Sequence, residues 1–137
     1  MFDVWHLGLP VEDLERSVNF YVDGLGFELL GYSESERYRM AFARVPAGAF
    51  TIELLEYREP SAAKRPDHLA FEVRDLDAFR EALSKKGRLG TAPEISAAGP
   101  GLRRFVVADP DGVPIQFYEG RAHFDKTALR RKEAHHV

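Results

Sequence analysis

The sequence predicts an α+β fold made of two tandem βαβββ modules, and an internal repeat is the first observation behind that prediction. The run HLGLPVEDL, which begins at His6, matches HLAFEVRDL, which begins at His68. The run FTIELLE, which begins at Phe50, matches VPIQFYE, which begins at Val113. Two copies at such a long spacing indicate two modules packed side by side and exclude a solenoid of many short repeats.

The order of elements within each half is the second observation. In the first half, Asp13 is a predicted helix N-cap, and apolar residues follow it at helical spacing as far as Leu25. Gly24 and Gly26 end that helix. Strands are predicted over 4–9, 27–32, 38–45 and 50–57. In the second half Asp75 is the predicted N-cap and Gly87 the helix stop, with strands over 68–73, 92–96, 102–108 and 113–119.

The whole chain, 1–137, is therefore predicted to form a single domain. Module one covers about 1–57, the polar stretch 58–67 with its two prolines is the linker, and module two covers about 68–120. A charged tail over 121–137 is expected to be peripheral.

Composition narrows the classes of function. The net charge of −3 does not suggest the basic surface that binds nucleic acid. No apolar run is nearly as long as a membrane-spanning helix. Cysteine is absent, which excludes disulfides, thiol nucleophiles and thiolate metal sites. The N-terminus does not resemble a signal peptide, so we expect a cytoplasmic protein with a small-molecule substrate and no nucleic-acid or membrane partner.

Strand alternation places a polar side chain opposite an apolar packing set in four strands. His6 shares its face with Gly8, whereas Trp5, Leu7 and Leu9 are predicted to point towards the helix. Three further residues alternate with packing positions in the same way: Glu53, His68 and Gln116. If each half curls into a half-barrel, these four residues meet in one half-open, cup-shaped mixed sheet.

Two imidazoles, one carboxylate and one amide oxygen form a mixed nitrogen and oxygen donor set. Such a set suits Ni, Co, Mn, Fe or Zn as one divalent ion per site. Gly8 and Ala70 leave room beside the two histidines. A single histidine on a strand is usually a surface or hydrogen-bonded residue, but here both histidines and both partners recur at matched positions of the repeat.

Three stretches resemble the vicinal oxygen chelate superfamily, which includes glyoxalase I, methylmalonyl-CoA epimerase, extradiol dioxygenases and bleomycin-binding proteins. They are HLGLPVEDLERSVNFYVDGLGFEL, DHLAFEVRDLDAF and FVVADPDGVPIQFYE, and the likeness extends over about residues 2–120. The resemblance implies paired βαβββ modules around a metal cup. It also implies a metal ligand from each of four strands, which here are His6, Glu53, His68 and Gln116, and a homodimer.

The resemblance further implies proton transfer next to a metal-chelated carbonyl, as in a lyase or isomerase of the glyoxalase or epimerase type. Glu53 is then the catalytic carboxylate, because the amide of Gln116 cannot shuttle a proton. At the second and fourth ligand positions, here Glu53 and Gln116, bacterial-type glyoxalase I would have glutamate twice. The epimerase would have glutamine at the second position and glutamate at the fourth. Tyr57 and Tyr118 share faces with the ligands and are candidate substrate-binding residues. Glu119 is an alternative fourth ligand, although its strand parity opposes that of Gln116.

Several departures keep other functions open. Pro10 and Tyr57 stand where bacterial-type glyoxalase I would have an arginine and an asparagine, which argues against a glutathione thioester. Because His6, His68 and Glu53 form a two-histidine, one-carboxylate set, an Fe(II) ring-cleaving dioxygenase is one alternative. A metal-free, drug-binding protein is another. The pair Arg103 and Arg104 is interpreted as a solvated strand edge rather than an anion site.

Overall fold

The computed structural model describes residues 5–48, 50–59, 65–87 and 93–120, which form two four-stranded mixed sheets and two helices. The first sheet contains β1 (His6–Pro10), β2 (Glu28–Glu34), β3 (Tyr38–Arg44) and β4 (Thr51–Tyr57). The second contains β5 (Leu69–Glu72), β6 (Ser96–Gly99), β7 (Leu102–Ala108) and β8 (Pro114–Gly120). Their orders, β1-β4-β3-β2 and β5-β8-β7-β6, are the same topology twice, so the predicted fold class is confirmed.

The pairing within each sheet follows the internal repeat. The first strand of each module runs parallel to the last, and the remaining pairs are antiparallel. Gly8 and Phe42 flank Glu53 on its two neighbouring strands. Ala70 and Val106 flank Gln116 in the same way. The two residues therefore occupy equivalent places in equivalent sheets.

Both helices begin at the predicted aspartates. The Asp13 carboxylate accepts the backbone N–H of Arg16 at 3.1 Å and starts α1 (Leu14–Val18). The Asp75 carboxylate accepts the N–H of Ala78 at 3.0 Å and starts α2 (Leu76–Lys86). Each cap satisfies a backbone donor that has no partner within the helix. Gly87, with φ of 69°, ends α2 in the left-handed conformation that glycine adopts without strain.

The first helix differs from the expected regular α-helix. After α1 the chain continues as a π-helical segment, Asn19–Gly24, and the N–H of Leu25 donates to the carbonyl of Phe20 at 2.9 Å. Apolar spacing alone could not reveal this, because Leu14, Val18 and Tyr21 fit an α-helical stripe equally well. The wider turn keeps Tyr21 fully buried.

One hydrophobic core joins the two modules. In the first sheet the inner face is fully buried and includes Leu9, Ala41, Ala43, Ile52 and Leu54. The second sheet adds Leu69, Phe105, Ile115 and Phe117. Burying a leucine, isoleucine or phenylalanine side chain contributes about 1.5–3 kcal/mol, so the inner faces fix which side of each sheet remains accessible.

Three of the predicted details are wrong. Trp5 and Leu7 do not pack towards the helix, since they are 73% and 39% exposed at the start of an edge strand. The strand expected over 92–96 begins only at Ser96, as β6 (Ser96–Gly99), whose SAAG sequence lacks strong β-formers; residue 92 lies outside the described residues. The pair Arg103 and Arg104 does not lie at a sheet edge, because β7 is an inner strand. The tail 121–137 and linker residues 60–64 lie outside the described residues.

The DPDG turn before β8 connects the second module to the first. Asp109 accepts the backbone N–H groups of Asp111 and Val113 through one oxygen, each at 2.9 Å. Its other oxygen accepts the Tyr21 hydroxyl at 2.8 Å. Asp111 accepts the N–H of Glu12 at 3.0 Å. Burial raises the pKa of Tyr21, and the charge of Asp109 raises it further.

Neither described helix has the length and apolar character that crossing a lipid bilayer requires.

Candidate functional site

His6 and Glu53 lie together on the open face of the first sheet, the face opposite the core. The Nε2 atom of His6 is 3.8 Å from an oxygen of Glu53, and the two side chains are 23% and 15% exposed. Gly8 is the register partner of Glu53. A methyl group at Gly8 would lie 3.2 Å from Leu55 and 3.8 Å from the Glu53 carboxylate, so glycine keeps this pair uncrowded.

Aromatic rings position the His6 imidazole. The centroid of Trp5 lies 4.3 Å from that of His6, and Phe42 lies 5.4 Å away, both in edge-to-face geometry. Trp5 and Phe42 stack on each other at 6.2 Å. The Nδ1 atom of His6 is buried without a hydrogen-bond partner. The ring is therefore held mainly by packing, and its polar interactions in the described chain are incomplete.

The His6 and Glu53 pair fits a divalent metal ion. Ligand atoms of histidine and carboxylate lie about 2.0–2.2 Å from such an ion, so two of them on one ion are at most about 4.4 Å apart. The observed 3.8 Å falls within that limit. A bound divalent ion would stabilise the Glu53 carboxylate here.

Gln116 occupies the equivalent position on the open face of the second sheet, and its amide oxygen is already oriented. The Tyr118 hydroxyl donates to that oxygen at 2.9 Å. Arg104 Nη1 donates to the same hydroxyl at 2.9 Å, and its guanidinium lies 5.8 Å from the centre of the tyrosine ring. Since a carbonyl oxygen has two lone pairs, Gln116 can still bind a metal ion.

His68 directly precedes β5 and is 46% exposed. Its Nδ1 lies 2.7 Å from a carboxylate oxygen of Asp67. A carboxylate at Nδ1 favours the tautomer with the proton on that nitrogen, which leaves Nε2 as an acceptor. Histidines that bind metals usually have such a carboxylate partner, so the contact with Asp67 suits His68 to a ligand role.

Of the four predicted ligands, the described chain brings His6 and Glu53 together on the first sheet. Gln116 lies on the equivalent face of the second sheet beside Tyr118, and His68, which precedes β5, contacts Asp67. Within residues 5–48, 50–59, 65–87 and 93–120, the cluster of three acidic or histidine side chains within 4.8 Å consists of Asp13, Glu15 and Glu56. His6, Glu53 and His68 do not form such a cluster.

An arginine occupies the centre of that acidic cluster. Arg39 donates to both Glu56 oxygens and to both Glu15 oxygens, at distances between 2.8 and 3.1 Å. Glu56 also accepts the N–H of Leu14 at 2.7 Å. The Arg39 guanidinium lowers the pKa of Glu15. The cluster is therefore an ion-pair clamp that fixes the start of α1.

Glu119 has the same structural role in the second module. It accepts the N–H of Leu76 at 2.9 Å and pairs with Arg103 at 3.1 Å. Arg103 also binds Asp77 and lowers the pKa of its carboxyl group. These bonds place Glu119 on the face opposite Gln116, as its strand parity predicts, and leave the open-face position to Gln116.

The two candidate substrate-binding tyrosines differ in position. Tyr118 touches Gln116 directly. Tyr57 is four residues from Glu53 along β4, roughly 13 Å at the rise of an extended strand. Its ring packs edge-on against Tyr38 at 5.7 Å. Tyr57 lines a surface cavity of about 290 Å³ with Glu36, Arg37, Arg58 and Glu59.

Sequence reasoning gives no role to two groups near the predicted site. Asp67 is sequence-adjacent to His68, but only the structure reveals the contact between their side chains. Phe42 lies on β3, where strand pairing rather than any motif puts it beside Glu53. The signal for Phe42 is its parity within β3, which is readable only once the register of the two strands is known.

The chain matches the model of the Glyoxalase/Bleomycin resistance protein/Dioxygenase superfamily over residues 4–117. It therefore belongs to that superfamily, as the repeated modules and the equivalent open faces indicate.

Relatives within the superfamily have varied names. A lactoylglutathione lyase of Haemophilus influenzae is 34% identical over 129 residues, 87% of this chain and 93% of that protein. The uncharacterized protein YwkD of Bacillus subtilis is 31% identical over 125 residues, 85% and 95% of the two chains. Among solved structures, the antibiotic-binding protein TnmS3 of Streptomyces sp. CB03234 has a TM-score of 0.68 at 23% identity, with 88% and 98% covered. That last likeness establishes the fold alone.

Proposed function

We propose that the chain is a divalent-metal-dependent lyase or isomerase that transfers a proton next to the carbonyl of a small substrate. The observation that carries this proposal is the assembled pair of His6 and Glu53 on the open face, 3.8 Å apart and largely shielded from water. Similarity to lactoylglutathione lyases at 30–34% identity supports the same reaction class.

The proposed metal ligands are His6, Glu53, His68 and Gln116. Three features support this set: the distance within the first pair, the Asp67 contact that leaves Nε2 of His68 available, and the oriented amide oxygen of Gln116. A bound Ni, Co, Mn, Zn or Fe ion would act as a Lewis acid towards the substrate carbonyl.

Glu53 is the proposed proton carrier. It is the single carboxylate among the four residues, and its 15% exposure limits competition from water. Its carboxylate would take the proton from the carbon beside the carbonyl and return it to the neighbouring atom, so that the substrate is isomerised without net loss of a proton. His6 keeps that carboxylate oriented on the open face.

The proposed assembly is a cytoplasmic homodimer. Within one chain, His6 and Glu53 lie on the first sheet, whereas His68 and Gln116 belong to the second, and a second copy would provide the missing partners. Exposed apolar side chains beside His6, namely Trp5 and Leu7, would be covered in such a dimer. Analytical ultracentrifugation of the wild type and the Trp5→Ser variant would test this, since a wild-type monomer contradicts the proposal.

The decisive experiment measures the metal content of the tag-free protein. The matched variants are His6→Ala/His68→Ala, which removes two proposed ligands, and His135→Ala/His136→Ala, which removes the two tail histidines. We expect about one tightly held divalent ion per proposed site in the wild type and the tail variant, and none in the ligand variant.

Each other outcome contradicts a specific part of the proposal. Equal metal content in the two double variants would reject the ligand set. Iron with oxygen-dependent activity would identify a dioxygenase instead. A wild-type protein that holds no divalent ion after reloading would reject the enzyme and favour a metal-free binding protein.

A further inference from the structure

We propose that Arg104 is an anion-binding residue on the open face of the second sheet, where it receives the carboxylate of a small 2-oxo or 2-hydroxy acid. The inference deepens the proposed function and rests on it for the carbonyl part of the substrate. The anion site itself rests on four described residues: Arg104, Tyr118, Gln116 and Glu72.

Strand pairing places Arg104 on the same face as Gln116. Arg104 is the register partner of Tyr118 on the adjacent strand, and Tyr118 is two residues from Gln116. The Arg104 guanidinium is two hydrogen bonds of 2.9 Å each from the amide oxygen of Gln116. The position is half-buried in an inner strand, so the guanidinium is held against the sheet rather than free in solvent.

The donor edge of Arg104 that suits a carboxylate is still available. Its hydrogen bond to Tyr118 uses Nη1, which leaves the Nε and Nη2 edge. In the same protein, Arg39 binds Glu56 through Nε and Nη2. Among the residues that the structure describes, no carboxylate lies within ion-pair distance of Arg104, in contrast to Arg39 and Arg103. A guanidinium whose Nε and Nη2 groups are both available matches a carboxylate ligand in geometry and charge.

Tyr118 gives the site its orientation. Its hydroxyl accepts a hydrogen bond from Arg104 and donates one to Gln116, so neither partner can rotate without breaking a hydrogen bond. The ring also lies beneath the guanidinium, at 5.8 Å from its centre. A charged donor held in one rotamer loses less entropy when it binds a ligand.

Glu72 is an acidic residue on this face of the described sheet. It is the register partner of Tyr118 on β5, whereas Arg104 pairs with Tyr118 from β7. The backbones of the two residues are therefore two strand spacings apart, roughly 10 Å, which is about one Debye length at ordinary salt. Glu72 weakens the attraction for an anion only slightly.

Among the described residues of the first module, the position equivalent to Arg104 carries no cation. Strand pairing makes Arg39 and Arg103 equivalent, since they are the register partners of Glu56 and Glu119, so the residue equivalent to Arg104 is Met40. A small acid on the open face of the second sheet would therefore place its carboxylate at Arg104, beside the amide oxygen of Gln116. In a 2-oxo or 2-hydroxy acid the carboxylate is bonded to the carbon that bears the other oxygen, which suits an arginine so close to Gln116.

The test uses pyruvate as the probe and the arginine Nε–H resonances of the nitrogen-15-labelled protein as the readout. Metal-free and zinc-loaded wild type are titrated at constant ionic strength with pyruvate, with its neutral methyl ester, and with inorganic phosphate. We expect a saturable shift of the Arg104 resonance with pyruvate and none with the ester. The Arg104→Gln variant should bind pyruvate about tenfold more weakly.

Matched variants separate the anion site from a general effect of charge. Arg103→Gln removes the adjacent arginine on the opposite face and should leave pyruvate affinity unchanged, provided that circular dichroism shows a folded protein. Tyr118→Phe should weaken binding less than Arg104→Gln does. Glu72→Gln should tighten it by no more than about twofold.

Several results would overturn the proposal. These are equal responses to pyruvate and its ester, an unchanged pyruvate affinity in Arg104→Gln, or saturation by phosphate alone. The metal-free titration distinguishes this failure from that of the proposed function. A protein that binds pyruvate through Arg104 yet holds no zinc would retain the anion site and lose the proposed reaction.

Discussion

The two modules share their structural clamps but differ on their open faces. Glu56 and Glu119 each accept the first backbone N–H of a helix, and each pairs with the arginine of the neighbouring strand. On the open faces, by contrast, Glu53 is beside a histidine, whereas Gln116 is joined to a tyrosine and an arginine.

This difference separates the residues that stabilise each module from the residues of the proposed site. A glutamate on the inner face is retained in both copies because a helix N-terminus and an arginine need its charge. The open face has no such constraint, so the two copies carry a carboxylate in one place and an amide in the other. Beside these two positions the charged groups differ, with the Glu53 carboxylate in the first module and the Arg104 guanidinium in the second.

The largest expected effect comes from exchanging the two open-face residues. Glu53→Gln should lower zinc affinity at least about tenfold, because a proposed carboxylate ligand is lost. Gln116→Glu should raise it. The double exchange should restore zinc affinity but leave turnover about 100-fold or more below wild type, because Glu53 is the proposed proton carrier. Competition with a chelator measures the affinity for zinc. Full activity of the double variant would contradict the proposal that the proton carrier must stand at position 53.

Removing the Tyr21 hydroxyl should produce the next largest effect. Tyr21→Phe leaves one oxygen of the buried Asp109 carboxylate without its donor, which costs about 1–3 kcal/mol of unfolding free energy. Urea unfolding measures this loss, with Tyr32→Phe as the control because Tyr32 is 62% exposed. Equal midpoints for the two variants would show that the contact between the modules contributes nothing.

Tyr21 also predicts a loss of stability at alkaline pH. Its pKa is raised on folding, so the stabilisation is complete below its ordinary value of 10.0 and decreases as the pH rises above that value. The Tyr21→Phe variant should lose this part of the alkaline dependence. A wild type and a variant whose unfolding midpoints decrease in parallel above pH 10 would contradict the assignment.

The two clamps should contribute equally and less than the buried tyrosine. Arg39→Gln and Arg103→Gln each remove the centre of an equivalent ion-pair group on a partly exposed surface. We expect two similar decreases in the urea midpoint, each smaller than that of Tyr21→Phe, with Arg37→Gln as the control. A large difference between the two would mean that the repeat is not energetically symmetrical.

The smallest expected effect is on the loss of stability at acid pH. The arginines lower the pKa of Glu15 and of Asp77 on folding, so their stabilisation is present above their ordinary values of 4.5 and 3.8 and is lost as the pH falls below these values. Comparing unfolding midpoints at neutral and acid pH should show a slightly smaller decrease in Arg39→Gln than in the wild type. An identical decrease would exclude Glu15 from the acid response.

Much of the fold is predictable because it depends on local signals. Asp13 and Asp75 mark helix starts with a side chain that caps backbone donors, and the repeat indicates the order of the strands. Alternation along β8 is enough to place the side chains of Gln116 and Glu119 on opposite faces. Local chemistry and periodicity of this kind act within a few residues and leave a trace in the sequence.

The remaining features depend on contacts between distant strands. Alternation alone predicts Trp5 on the helix side, yet it stacks on Phe42 because nothing among the described residues covers the beginning of this edge strand. The role of Arg104 requires the register of β7 against β8. The π-helical segment is hidden because its apolar spacing suits an α-helix as well. Periodicity cannot encode any of these three.

The contact between Tyr21 and Asp109 also bears on how the chain folds. The two residues are 88 positions apart, and Glu12 and Asp111 are 99 positions apart. Such contacts raise the contact order, so this small chain should fold more slowly than a helical bundle of equal length. Neither half, expressed alone, would contain both members of these pairs. Cutting the chain in the linker should therefore yield two fragments that acquire their structure by associating with each other.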